Sequence, residues 1–293
     1  MDTRAALLAW YEPRRRRYPW RVGSNPYRVL VSEVMLQQTQ AERVAPAFER
    51  FVERFPDIPS LAAASRADVL RAWGSLGYNR RAVRLSEAAR AVVRDHGGRI
   101  PVVPDTLRTL PGVGPYTAAA VASIGHGVPV AAVDVNVRRV VARARLGRDP
   151  GEVTASAVRA EGQAWLDGRE PAAWNQALMD LGREVCRPEP RCDACPLVGA
   201  CAWRAGPPRS GRASPRVRPV QRFEGSSRQL RGGIVRVLRA RIGASVGALS
   251  EGLGWSLPDV AGAVAALHAE GVVEADRAAL AGRPGGRVRL PRA

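Results

Sequence analysis

A glutamate inside an apolar helical stretch, an aspartate at a helix start and four closely spaced cysteines are the groups in this chain best suited to chemistry. Glu33 lies in Ser32-Glu33-Val34-Met35-Leu36-Gln37-Gln38-Thr39, with Val29 and Leu30 just before it. A carboxyl removed from water holds its proton more tightly, so Glu33 is expected to donate a proton near neutral pH. A rim carboxylate paired with an arginine would fit the same stretch. Asp134 lies in Val133-Asp134-Val135-Asn136-Val137, where a helix begins. Helix-terminal N–H groups favour an ionised carboxylate, so Asp134 is expected to stay negative and to suit a developing cation. A plain N-cap would also place an aspartate there. An acid and an anion in contrasting environments suit the breaking of a bond to a sugar anomeric carbon. The sequence does not show that the two face each other.

The four cysteines, Cys186, Cys192, Cys195 and Cys201, follow the spacing C-x5-C-x2-C-x5-C. So compact a set points to metal rather than to disulfides. Zinc sites more often use two CxxC knuckles set further apart. One knuckle with two outlying cysteines suits a [4Fe–4S] cluster better, and zinc stays open. His96, His126 and His268 are scattered, with no metal-ligand spacing. The chain has no lysine: its 45 basic side chains are all arginine. Arginine keeps its proton near neutral pH, so a route through a lysine Schiff base is closed.

Most of the chain carries helical patterns. Tyr27 to Phe55 is expected to be a long helical stretch broken near Pro46. Leu61 to Trp73, Arg81 to Val93, Val135 to Leu146 and Ala172 to Val185 are expected helices, with Ser60 and Ser65 as caps. Leu110-Pro111-Gly112-Val113-Gly114 separates two helical segments, Pro104 to Leu110 and Pro115 to Ile124. Gly112 and Gly114 would let this turn adopt conformations closed to other residues and approach a phosphate. A tight helix–helix connection would look the same. Asp134 follows Gly114 by twenty residues. After a Pro-, Gly-, Ser- and Arg-rich stretch come two expected helices, Arg228 to Arg241 and Leu257 to Glu270. Val272 to Glu274 and Arg287 to Leu290 are an expected two-stranded wing.

The formal net charge of +18 favours a polyanionic partner. No apolar run reaches the roughly 18–20 residues that span a bilayer, and the first residues lack a secretion-signal pattern. A cytoplasmic, nucleoid-associated monomer with no membrane partner is expected. Arg209, Arg212, Arg216, Arg218, Arg222, Arg228 and Arg231 are candidates for gripping phosphates, with a solvated linker as the alternative.

Hairpin, aspartate and cysteine cluster in this order resemble the endonuclease III superfamily of helix-hairpin-helix DNA glycosylases. Ser32 to Thr39 and Gly77-Tyr78 resemble its adenine DNA glycosylase (MutY) branch. The resemblance covers roughly residues 1 to 204. It implies an all-α body over 1–206, with a helical barrel over about 24–128 and an iron–sulfur subdomain from 1–23 and 129–206 that holds one [4Fe–4S] cluster on the four cysteines. A linker over 207–227 and a winged-helix-like module over 228–293 would follow, similar to the tails of some actinobacterial relatives. The active site would lie in the cleft between the two subdomains.

The roles implied are specific. Glu33 would protonate a flipped adenine and assist water, and Asp134 would stabilise the oxocarbenium ion. Tyr116 and Asn136 would hydrogen-bond around that carboxylate. Arg21 would contact the flipped base. Gln38 and Tyr78 would enter the duplex, with further contacts to double-stranded DNA from Gln37, Thr39, Leu76 and the hairpin glycines Gly112 and Gly114. The substrate would be adenine opposite 8-oxoguanine or guanine. Tyr116 occupies the place where endonuclease III carries its Schiff-base lysine, so lysine-dependent strand cleavage is not expected.

The chain departs from the family in three places. Five residues rather than six separate its first two cysteines. Asn79 stands where many members have a second tyrosine. The residues after Cys201 are too few for a Nudix-like domain and a linker. Tyr78-Asn79 with Tyr116 also resembles thymine glycosylases acting on T:G pairs. A non-catalytic DNA-binding protein with a structural cluster is the alternative of another class.

Overall fold

A computed structural model describes residues 2–206 and 223–292. In chain order its helices are α1 (Thr3–Tyr11), α2 (Pro26–Leu36), α3 (Ala41–Arg54), α4 (Ile58–Ala63), α5 (Arg66–Trp73), α6 (Arg80–His96), α7 (Pro104–Leu107), α8 (Pro115–Ala120), α9 (Val135–Ala144), α10 (Ala155–Trp165), α11 (Pro171–Glu184), α12 (Ala202–Ala205), α13 (Ser227–Ala240), α14 (Val246–Leu253), α15 (Leu257–Ala269) and α16 (Arg277–Leu280). The strands are β1 (Ala244–Ser245), β2 (Glu274–Ala275) and β3 (Arg287–Arg289). The expected all-α body is present. The described residues divide into a first unit, 2–34 with 100–206, and a second unit, 35–99 with 223–292.

In the first unit, α1, α9, α10 and α11 pack around Leu7, Val137, Val141, Trp165, Trp174 and Leu181. Trp165 and Trp174 meet edge to face, with ring centroids 5.8 Å apart, an arrangement aromatic quadrupoles favour. Asn25 starts α2: its side chain accepts from Arg28 N at 3.1 Å, and Pro26 at the first helical position needs no hydrogen-bond partner.

The helical stretch after Tyr27 does not break at Pro46, which lies inside α3. It breaks at Gln37–Gln40, where Gln38 turns to φ +56°. Proline forfeits one ladder bond, whereas a left-handed residue reverses the chain direction. Leu61 to Trp73 is two helices rather than one, because Ser65 caps α5 by accepting from Asp68 N. Ser60 is not itself a cap: it is the third-turn-position partner of Asp57, which caps α4.

In the second unit, Phe51 packs edge-on against both Phe55 and Trp73. The C-terminal segment runs α13, β1, α14, α15, β2, α16, β3, and its antiparallel sheet has the order β1-β3-β2. The expected wing is thus three-stranded. Its third strand, β1, has only two residues, too few for a periodic signal. α14 was likewise not apparent from the sequence, although Ser245 caps its start and left-handed Gly254 ends it. Of the stretch expected to be a linker, 207–222 lies outside the described residues, as do Arg209, Arg212, Arg216, Arg218 and Arg222.

Candidate active site

Two side-chain amides fix the segment that carries Asp134. Asn175 of α11, fully buried, receives Ala132 N at 2.7 Å and contacts Ser123 Oγ, Val130 O and Pro171 O at 2.7–2.9 Å. Gln163 accepts from Ala131 N and donates to Pro129 O. Among the described residues this extended segment has no sheet partner, and side chains satisfy backbone groups in it instead.

Asp134 then caps α9. Its Oδ1 accepts from Asn136 N at 2.9 Å and Val137 N at 2.7 Å, and its Oδ2 from Asn136 Nδ2 at 2.9 Å. Asn136 Oδ1 is in turn held by Arg139, whose guanidinium also donates to the carbonyls of Gly182 and Cys186. Asp134 was expected to stay negative because helix-terminal N–H groups favour the ionised form. Burial raises its pKa, and the cap bonds oppose that rise. Desolvating the carboxylate outweighs three hydrogen bonds to it.

Glu33 of α2 is 8% exposed. Burial, reinforced by the charge of Asp134, lifts its pKa from 4.5 to about 7, against the lowering influence of Tyr116 and Arg21. Tyr116, on α8, hydrogen-bonds Glu33, and its hydroxyl lies 3.7 Å from Met179 Sδ. Burial and the two carboxylates push the phenol well above its ordinary range. Glu33, Tyr116, Asp134 and Asn136 are therefore brought together in the first unit, with the two carboxylates close enough to feel each other. Arg21 joins them electrostatically. Its two terminal nitrogens go to Asp180 at 2.8 and 3.1 Å, a bidentate pair that is 11% and 6% exposed.

The hairpin is in the same unit. Gly112 adopts φ +78°, which a side chain would resist. Gly114 does not use that freedom: it is extended at φ −88° and precedes α8 with its backbone exposed.

A second group gathers in the second unit. Gln37 and Gln38 are exposed and Thr39 is half-buried. Leu76, expected to touch DNA, is 5% exposed and offers little surface. Tyr78 is 42% exposed. Gln38 and Tyr78 are the only non-glycine residues with positive φ among those described, at +56° and +46°. Such backbone costs roughly 1–2 kcal/mol and persists only where neighbours enforce it. Arg81 supplies that enforcement. It donates to Met35 O at 2.8 Å, to Gln37 O, to Thr39 Oγ1 at 3.1 Å and to Gly77 O at 3.4 Å, and it stacks over Trp73 and Tyr78. Sequence analysis missed Arg81, one arginine among many. Its place two residues before the buried Val83 of an amphipathic helix gave no separate signal.

The four cysteines follow α11 and converge on one cavity of about 30 Å³, also lined by Arg143, Val185 and Trp203. No group of three or more His, Cys, Asp or Glu among the described residues is placed to hold a metal ion as it stands. Four thiols around one cavity are a donor set that suits a thiophilic metal centre, zinc or iron–sulfur. Arg143 braces the loop, donating to the carbonyls of Arg187 at 2.7 Å and Pro188 at 3.1 Å, with its guanidinium 5.0 Å above the Trp203 ring. Burial raises the thiols of Cys186 and Cys195, the latter to about 11, and Arg143 opposes the rise at Cys186.

A family model for HhH-GPD superfamily base excision DNA repair proteins matches residues 31–166. The adenine DNA glycosylase of Mycobacterium tuberculosis H37Rv is 48% identical over 245 residues, covering 80% of this chain and 77% of that protein. The human adenine DNA glycosylase is 41% identical over 213 residues, 69% of this chain and 39% of the human protein. Among solved structures, a thermostable thymine-DNA glycosylase superposes with a TM-score of 0.64 at 29% identity, covering 69% of this chain and 94% of that one. A trapped endonuclease III–DNA covalent intermediate shares the fold, with a TM-score of 0.57 at 24% identity over 69% of this chain and 95% of that one. No helix among the described residues is long and apolar enough to cross a membrane. With its carboxylate pair, hairpin and cysteine loop in this order, the chain belongs to the HhH-GPD superfamily of base excision DNA repair proteins and, within it, to the adenine DNA glycosylase family.

Proposed function

We propose that the protein is a monofunctional DNA glycosylase that hydrolyses the N-glycosidic bond of adenine mispaired with 8-oxoguanine or guanine in double-stranded DNA, acting as a monomer at the nucleoid. The observation that carries the reading is the pair of unequal carboxylates. Glu33, held near pH 7, can give its proton to the flipped base. The C1′–N9 bond then breaks, its electron pair leaves with adenine, and positive charge develops at C1′. Asp134, anchored by three hydrogen bonds, stabilises that cation. Water adds to C1′ and returns a proton to the Glu33 carboxylate, closing the cycle. Tyr116 steers Glu33, and Asn136 and Arg139 fix the orientation of Asp134. Arg21, tethered to Asp180, sits near the base to be released.

Exposed Gln38 and Tyr78, each in a strained backbone held by Arg81, suit insertion into the duplex, which offsets the few kcal/mol that base flipping costs. Gln37 and Thr39, and separately the hairpin at Gly112 and Gly114, are further candidates for contacts to double-stranded DNA. Cys186, Cys192, Cys195 and Cys201 would hold the [4Fe–4S] cluster, which when bound ties the 186–201 loop to the end of α11. The C-terminal residues 228–293 form a winged-helix-like accessory module.

The test is base release from duplexes containing A:8-oxoguanine, A:G, A:C and T:G, developed with alkali. Release of thymine rather than adenine would overturn the adenine reading in favour of a thymine-DNA glycosylase, the name its structural neighbour carries. Glu33→Gln should lower adenine release at least a thousandfold while duplex affinity stays within a few-fold of wild type. Retained turnover would remove Glu33 from the mechanism.

A further inference from the structure

We propose, building on the reading of Tyr78 as a wedge, that the C-terminal module sets the Gly77–Asn79 loop for mispair recognition, with Arg239 of α13 as its positioning residue. Arg239 donates from Nε to Leu70 O at 2.9 Å and from Nη2 to Asn79 Oδ1 at 2.8 Å. Asn79 is 8% exposed and follows Tyr78 directly. A partly buried guanidinium needs fixed acceptors, and here one lies in α5 before the loop and the other at the loop's last residue. Two further contacts extend the clamp: Arg228 lies 3.3 Å from the Tyr78 hydroxyl, and Ala67 N donates to Pro291 O at 3.0 Å. The departure from the family at position 79 acquires a reason. An asparagine is short enough to stay buried and offers the carbonyl that Arg239 requires.

The module's own surface supports a brace rather than a groove reader. In a winged helix the last helix before the wing is the one that enters the major groove. Here that helix is α15, whose exposed residues include Pro258, Asp259, Gly262, Ala266 and Ala269, and it carries no arginine. Its one basic side chain is His268 in the last turn, so it offers little to neutralise phosphates. Arg231, a candidate phosphate contact, is paired with Glu270.

The experiment uses the full chain and the substitutions Arg239→Met, Asn79→Ala, both together, and Arg239→Lys. Single-turnover adenine release is measured from A:8-oxoguanine and A:C duplexes. Each single change should lower the ratio of the two rates about tenfold, the worth of one hydrogen bond to a charged group. The double variant should fall no further than the worse single one, because both remove the same contact. Arg239→Lys, which can reach one acceptor, should recover part of the ratio. A general loss of folded protein scales both duplexes alike, so equal losses on the two, or additive effects, overturn the proposal.

A readout free of catalysis stands beside it. In the DNA-free protein the amides of Arg81 and Ala82 bond to the carbonyls of Tyr78 and Asn79. Arg239→Met should speed their hydrogen exchange about tenfold; unchanged protection overturns the clamp whatever base is released. A wild-type protein that frees no adenine from either mispair overturns the functional reading instead.

Discussion

Ionising Glu33, itself buried, would place a second negative charge near Asp134. The raised pKa therefore makes a statement about stability as well as catalysis. The folded state binds the Glu33 proton more tightly than the unfolded chain does, so protonation favours folding. That contribution is complete below pH 4.5 and is lost as pH rises to about 7. Glu33→Gln keeps the shape and carries no charge at any pH. The variant should gain on wild type across that window, by on the order of 3 kcal/mol at its end, and level off above it. Urea midpoints at pH 5, 6, 7 and 8 measure this, and a difference that stays flat or shrinks with pH would show that Glu33 is not desolvated. At this scale the candidate groups, as distinct from their roles, were readable from the sequence. Glu33 and the cysteines announce themselves because a carboxylate in an apolar helix and a CxxC knuckle are rare for other reasons, whereas Asp134 shares its helix-start position with ordinary caps such as Asp57 and Asp276. Arg81, Arg239 and Asn175 did not announce themselves, since their distant partners lie 42 to 169 residues away with no pattern linking them. Only Asn79 gave a hint, as a departure from the family.

Between elements, the site depends on how closely α11 approaches the first turn of α9. A Cβ on Gly182 would lie 2.7 Å from Asn136 Cβ and 2.8 Å from Asn136 O. Both are closer than real contacts allow, and one is backbone. Gly182→Ala must therefore push α11 away from the turn that holds Asp134, and it also moves the Gly182 carbonyl that accepts from Arg139. The expected cost is about 1–3 kcal/mol of stability. It should come with a fall in base release larger than the loss of folded protein explains, because small displacements at a reacting centre are costly. Full activity per folded molecule would mean that Asn136 does not transmit the shift. Sequence patterning placed α9 and α11 to within a few residues, because each has a continuous apolar face. It put the break after α2 at Pro46 because proline is the visible breaker, whereas a left-handed glutamine has no composition signal. The same limit hid α14, whose two glycines dilute its apolar pattern.

For the molecule as a whole, the decisive feature is an absence that the sequence shows at once: 45 arginines and no lysine. The charge of +18 supplies attraction for DNA from guanidinium groups alone. What no pattern revealed is that the C-terminal segment joins residues 35–99 in one unit, since those contacts come from single side chains far apart in the chain. The missing lysines also bear on the fate of the product. Strand cleavage through an imine needs a neutral amine at C1′, and the position beside the carboxylates is taken by Tyr116. That phenol is held well above its ordinary pKa and bonded to Glu33, so it stays protonated and cannot replace an amine. Base release should therefore run to completion with the DNA strand intact, and breaks should appear only after alkali. Borohydride added during turnover should trap less than about a hundredth of the enzyme on DNA, against near-stoichiometric capture for a lysine-dependent lyase. A cleaved strand formed before alkali at the rate of base release would show that another nucleophile reaches C1′, and the division of labour between Glu33 and Asp134 would have to be redrawn around it.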